Sequence, residues 1–499
     1  MRRYIFTGLV LSLTACGGGG DSSSPVVLPP SVNSPPQITT GPTANVAENE
    51  TAVLTVQATD ADGDGLSFSI SGGDDGDDFS ISAGGVLSFA SQPNFELPTD
   101  ADRDNVYRLR VQVSDGSASD TLEFTVTVNN DREGIGVRRI ATGMNDVTAI
   151  ATIPSQAKVF VAQRNGNIYE LDTIDGTRVL DRTVLNVNTV GEGGLLGLAV
   201  DPSFSSNNSY WAFVTAARTG IFATAGSDIT IRKINRTIPE GLLGTGTQLQ
   251  IPHASDSNYG GWLGFDPDNN LYIMVGDSGN SNLAQDPNSK LGKVLRLQPN
   301  PDPFAGAAPA FFLVPAGNPF AAGGGDPFVF ALGVQDPKNG FLFGDGVYFG
   351  DRGSSVAEEI NFLLHTGSAE NFGWPFFEGS SPFMGSSGGP LVMPVTEYAR
   401  GNGDREGSSI VGGAIYEGPV QSLQSKYIFA DFANGNIWAV SVTDLLSGEI
   451  IPSSSYELLN ADFEPDVGSI DAIVAIGTDQ EKNLIIADSD GEIFVVEPA

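Results

Sequence analysis

Gly333–Pro337 reads GVQDP, Gly346–Asn361 reads GVYFGDRGSSVAEEIN and Asn371–Pro375 reads NFGWP. An apolar strand ends in Gly-Asp, an acidic turn follows, a second strand leaves it, and an aromatic-Pro corner closes the unit. The same plan recurs on both sides. It is carried by Val147–Asp172, Gly194–Ala216, Gly260–Asp277, Gly340–Leu363, Gly412–Val440 and Ile470–Glu497. Each segment is an apolar strand, a Gly/Asp/Pro/Asn turn and a second strand ending in a small or acidic residue. Six such units, spaced at roughly 40 to 60 residues, predict a six-bladed β-propeller over 134–499, with the loops between strands gathered around a central funnel.

Upstream, residues 37–133 hold a shorter rhythm. Ala52–Asp60, Leu66–Ser71, Phe79–Ala90, Tyr107–Asp115 and Thr121–Asn129 alternate apolar and polar residues between turn clusters, which predicts a β-sandwich. The fold class is therefore all-β: a sandwich followed by a propeller. The 62 Gly and 30 Pro agree with many turns and short strands rather than long helices.

Before the sandwich, residues 17–36 form a Gly/Ser/Pro tether. Before that, Arg2 and Arg3 precede an apolar run, Phe6–Leu13, that is too short to span a bilayer. Leu13-Thr14-Ala15-Cys16 resembles the bacterial lipoprotein signal. That resemblance implies cleavage after residue 15 and acylation of Cys16, the single cysteine. The expected location is the bacterial cell envelope (outer membrane, periplasmic or surface-exposed), with membrane contact only through the lipid anchor. Sixty acidic residues against 25 basic ones give a net charge of -35; such a surface repels DNA, RNA and anionic lipid, so no nucleic-acid partner is expected.

Acidic signals cluster at the ends of the sandwich strands. Glu48, Asp60, Asp62, Glu96 and Asp131 supply the oxygen chemistry that calcium takes from flexible loops. AENE, ATDADGD, PNFE and NND resemble cadherin-like domains, and the resemblance implies that these five residues are calcium ligands.

Within the propeller, GEGGLLGLAVDPSF (Gly191–Phe204), GGWLGFDPDNNLYIMVGDSG (Gly260–Gly279), AQDPNSKLGKVLRL (Ala284–Leu297) and the opening Gly333–Pro375 stretch together resemble the glucose/sorbosone dehydrogenase family. The resemblance implies pyrroloquinoline quinone and calcium as cofactors and an aldose as substrate. Hydride transfer from a sugar needs a base for the hydroxyl proton. The family's histidine falls on Asn258, with its acidic partner at Asp277 and His253 five residues upstream. The family's quinone contacts fall on Glu192, Gln335, Glu417 and Asn434. Its calcium turn falls on Gly353 and Ser354, with Glu358 and Glu359 beside them. An amide takes no proton, and neutral or acidic residues stand where a tricarboxylate cofactor wants Arg and Lys. Three readings follow. One is a quinone- and calcium-dependent sugar dehydrogenase. Another is a non-catalytic propeller that binds a carbohydrate or a cell-surface protein, with Tyr259 and Trp262 suited to sugar stacking. A hydrolytic or isomerising site built on Glu192, Asp277 and Glu417 is a third.

Overall fold

Alternation of apolar and polar residues places every second side chain of Val106–Ser114 inside a sheet. In the computed structural model, which describes residues 32–217, 227–239, 245–306, 310–366 and 369–499, this strand is central to the sandwich. The signal segment, Cys16 and residues 17–31 of the tether lie outside the described residues. Thr43–Ala47, Ser119–Asn129, Val106–Ser114 and Ser67–Gly72 form a four-stranded sheet. It packs on Ala52–Thr55, Val86–Phe89 and Phe79–Ile81, and Leu87, Tyr107, Leu109, Phe124 and Val126 fill the space between the two sheets. Among the described residues no helix is long and apolar enough to cross a membrane.

Six antiparallel blades follow. Their innermost strands are Val147–Thr152, Leu195–Val200, Gly260–Phe265, Pro337–Phe343, Ile410–Ile415 and Ile473–Thr478, neighbours of one another around a closed ring. The ring is tight where blades 2 and 3 meet: a side chain on Gly197 would run into the Gly261 carbonyl. Closure is made in the last blade. Ile135–Ala141, the first strand after the sandwich, pairs antiparallel with the C-terminal strand Ile493–Pro498 and forms that blade's outer edge. Beginning and end of the propeller are thus hydrogen-bonded to each other, which closes the ring.

The sandwich docks on the fifth blade. The Glu96 carbonyl accepts from the Leu458 N–H at 3.0 Å and from Arg405 at 3.0 Å. Arg103 reaches the Ser454 carbonyl at 3.2 Å, and Asn130 donates to the Asp462 carboxylate at 2.7 Å. Glu48, Glu96 and Asp462 are all buried at this junction.

The five acidic residues that resemblance groups as calcium ligands are not brought together. Glu48, Glu96 and Asp131 share the junction end, where Glu48 accepts the Phe95 and Asp131 N–H groups at 2.9 Å each. Asp60 and Asp62 lie at the opposite end, with Ser34 on Asp62 and Asn33 of the same segment on Asp115. The 11-residue strand Ser119–Asn129 separates the two groups, roughly 33 Å of rise.

Candidate functional site

Because neighbouring strands in a blade are antiparallel, one end of the funnel collects the residues before each innermost strand and after each second strand. At this upper mouth stand Glu192, Asn258, Asp277, Gln335, Asp336, Arg352 and Phe432. The channel below has a volume of about 610 Å³, within the range of ligand sites. Trp262 lies partly across it, packed on Gly264 and Gly340, where any side chain would strike the indole ring.

Asp277 is the best-defined group at the mouth. Asn258 donates its amide to one carboxylate oxygen at 2.9 Å, and Trp374 donates its indole N–H to the other at 2.9 Å. Burial pushes the Asp277 carboxyl up, against the pull of these two bonds. The sequence brings them together through two local devices. The Gly260-Gly261 turn presents Asn258, which itself sits at φ 55°, and the NFGWP corner delivers Trp374.

Beside this pair runs an ionic network. Arg352 bridges Glu192 and Asp336 at 2.6 Å each, and Lys338 sits 2.9 Å from Asp336. Burial alone would raise Asp336, but Lys338 and Arg352 outweigh it and hold its carboxyl below the usual range. Glu192 also accepts the Asn258 N–H at 3.0 Å, and Gln335 donates to the Ser354 hydroxyl at 2.6 Å.

Two of the candidate residues are not presented to the upper mouth. His253 is buried, its ring stacked on Tyr259 at 4.1 Å. Its nitrogens face the Ser255 and Asn258 carbonyls at 2.9 and 3.1 Å, so neither it nor Tyr259 is presented to the channel. Glu417 follows an innermost strand rather than preceding one. It therefore lies at the lower mouth with Lys482, 3.7 Å away, about 20 Å of strand from Asp277. Asn434 is at the upper rim, where it donates to the Glu406 carbonyl at 2.6 Å.

The calcium turn divides into two parts. Glu358 is fully buried and paired with Arg400, which also donates to the Gly353 carbonyl at 3.1 Å; a guanidinium already occupies the cation's role there. Glu359, Asp351 and Glu378, all buried, surround a separate void of about 10 Å³ with Gln335, room for one water-sized occupant. One Glu378 oxygen accepts four N–H groups, from Ser354, Ser355, Val356 and Ala357, at 2.6 to 3.2 Å. Its other oxygen, like the Gln335 carbonyl oxygen, is buried without a hydrogen-bond partner. Burial and the neighbouring carboxylates push Glu359 up to about 7 and Asp351 well above its usual value. Three carboxylates and an amide oxygen are the donor set of a hard cation. Glu378 and Arg352 had no part in the sequence reading; Arg352 directly follows the Gly-Asp turn, and Glu378 lies three residues past NFGWP.

The quinone fits less well. Its carboxylates call for cations, yet Arg352 and Lys338 are already neutralised by Asp336 and Glu192, and Asn258 stands at the base position.

Comparison with known proteins places this geometry. Residues 144–443 match the model of the family described as Glucose / Sorbosone dehydrogenase, and residues 33–129 match Bacterial Ig domain. HIPL1 protein of Arabidopsis thaliana is 29% identical over 276 residues, 49% of this chain and 39% of that protein. HIPL2 protein of the same plant is 26% identical over 447 residues, 74% of this chain and 63% of that protein. The chain thus spans less than two thirds of either relative. The solved PQQ-bound aldose sugar dehydrogenase of Streptomyces coelicolor superposes with a TM-score of 0.54 at 23% identity, covering 73% of this chain and 98% of that one. At that identity the likeness is one of fold.

Proposed function

We propose, from the premise that this chain belongs to the glucose/sorbosone dehydrogenase family, that its propeller binds a carbohydrate at the upper mouth without oxidising it through a quinone. The observation that carries this reading is Asp277, held by the Asn258 amide and the Trp374 indole. With an amide in the base position, neither side chain that donates to Asp277, Asn258 or Trp374, takes a hydroxyl proton near neutral pH. What the mouth does offer is a polar fork. Arg352 and Lys338 donate, Glu192 beside them, its side chain 38% exposed, accepts, and Trp262 and Phe432 supply aromatic surface; vicinal hydroxyls and an apolar sugar face meet that combination. In the same reading, calcium is held by Glu378, Glu359, Asp351 and the Gln335 oxygen. Acylation of Cys16 keeps the protein on the cell envelope, and the Ig-like sandwich serves as the spacer that presents the propeller to a glycan or a glycan-bearing surface protein.

Titration of the full chain with pyrroloquinoline quinone and calcium, followed by absorbance and aldose-dependent dye reduction, tests the reading. No saturable change at micromolar cofactor is expected, alongside measurable aldose or oligosaccharide binding that Arg352→Ala weakens at least tenfold. Tight quinone binding with dye reduction would overturn it. For the cation, Glu378→Gln is expected to lower calcium affinity at least tenfold in calorimetry of the EDTA-stripped chain, and an unchanged affinity would place calcium elsewhere.

A further inference from the structure

The sandwich carries a second acidic constellation that no resemblance accounts for. Asp100, Asp102 and Asp104 alternate along one loop of PTDADRDN, and each offers a carboxylate oxygen within 4.8 Å of the other two. Oxygens that share a calcium ion at 2.3 to 2.6 Å stand up to about 5 Å apart, so the three are already at ligand spacing. Asp100 is the decisive member. It is 2% exposed. One of its carboxylate oxygens accepts the Asp104 N–H at 2.7 Å, and the other is buried with no hydrogen-bond partner. A carboxylate oxygen shut away from water without a donor is costly unless a cation or proton meets it.

The surroundings are mixed. Arg108 contacts Asp102 at 3.2 Å and Asp104 at 3.0 Å from the solvent side, its own side chain 43% exposed. Asp75 accepts the Ala101 and Arg108 N–H groups at 2.7 and 2.6 Å and so anchors both ends of the loop. Asp78 accepts the Thr99 hydroxyl at 3.2 Å. Arg108 covers the two exposed carboxylates and leaves the inward oxygen of Asp100 unmet.

We propose that Asp100, Asp102 and Asp104 form a divalent-cation site of the calcium class and that its occupancy stiffens the contact between sandwich and propeller. All-oxygen donors select a hard cation over a transition metal. The coupling follows from Arg103, which lies inside the loop and reaches the Ser454 carbonyl of the fifth blade. Fixing the three carboxylates around one ion fixes the backbone from which Arg103 projects.

The test uses the full chain, stripped with EDTA and titrated with calcium, with magnesium in a parallel arm. Asp102→Asn combined with Asp104→Asn alters two exposed side chains and should leave the fold intact. The parent is expected to bind one calcium equivalent more than this variant, with a dissociation constant on the order of 10⁻⁴–10⁻³ M as in extracellular modules. Glu378→Gln should retain that weak equivalent. In the parent alone, calcium should slow amide exchange several-fold across residues 99–107 and 454–458. Equal stoichiometry in parent and variant overturns the site. A lost equivalent with unchanged exchange at 454–458 overturns its coupling to the propeller.

Discussion

Arg400→Met is expected to destabilise the propeller by about 3–5 kcal/mol, the usual consequence of stranding one charge of a buried pair. Glu358 is fully buried, and Arg400 is its cationic partner. The remaining contacts of Glu358 are the Ile410 N–H at 3.1 Å and the Gly353 N–H at 3.3 Å, too little to hold an ionised carboxylate in that position. Burial raises the Glu358 carboxyl to about 7 even with Arg400 present. A carboxyl raised in the folded state contributes stability that is fully present below its unfolded value, about 4.3, and lost as pH rises through about 7. The pairing with Arg400 offsets that loss only where Glu358 is ionised. The deficit of Arg400→Met should therefore be small at pH 5 and grow toward pH 8. Glu358→Gln added to Arg400→Met removes the stranded charge and should recover most of the loss. The readout is clean because all four tryptophans, Trp211, Trp262, Trp374 and Trp438, lie in the propeller; denaturation followed by their fluorescence reports that domain alone. A deficit independent of pH would mean that Arg400 acts through its bonds to the Gly353 and Ser408 carbonyls instead.

The inner half of the propeller was legible because its strands carry a long apolar run between fixed punctuation. Leu271–Val275, Gly346–Asp351 and Lys426–Asp431 are buried along almost their whole length, and each is preceded by a Gly/Asn/Asp or Ser/Gln turn. The outer strands give no such signal. Arg178–Thr183 is largely exposed and Glu457–Leu458 is two residues long, so neither periodicity nor composition marks them. The closing pair Ile135–Ala141 with Ile493–Pro498 is separated by the whole propeller, and local patterns carry nothing about it. Within the site, the meeting of Asn258 and Asp277 was readable because both lie a fixed, short distance from Gly-containing strand ends. Glu417 was misplaced for a geometric reason. In an antiparallel blade the mouth a residue reaches depends on whether it precedes or follows an odd-numbered strand, and Glu417 follows the first strand of blade 5. Counting strand parity puts it below. Glu378 sits in a two-residue strand, Phe377–Glu378, where no local pattern distinguishes a ligand from a turn residue.

Raising the pH is expected to loosen the sandwich from the propeller, because three carboxylates meet at their junction. Glu48, Glu96 and Asp462 are buried there, and Asn130 alone cannot neutralise them: it donates to Glu96 at 3.2 Å and to Asp462 at 2.7 Å. Burial, then Asp462, then Glu48 push the Glu96 carboxyl up to about 9, and burial raises Asp462 as well, so the docked pair holds one proton between them. When the domains separate, solvent returns to Glu96 and its carboxyl falls toward the ordinary value. The docked state thus binds a proton that the undocked state releases. Its contribution is complete below about 4.3 and is lost as pH rises through about 9, with a limiting slope of about tenfold in the docking equilibrium per pH unit for one proton. Glu96→Gln supplies a neutral amide in the same place, with an N–H to replace the shared proton, and should flatten the profile while keeping the domains docked at pH 8 to 9. The measurement is amide exchange at Leu458, whose N–H is held by the Glu96 carbonyl, in EDTA from pH 5 to 9 after correction for intrinsic exchange. Protection that falls with pH in the parent and stays level in Glu96→Gln identifies the shared proton as the latch. Parallel profiles in the two proteins would assign the docking to Arg405, to Arg132, which donates to the Asp462 and Glu464 carbonyls, and to the backbone bonds alone.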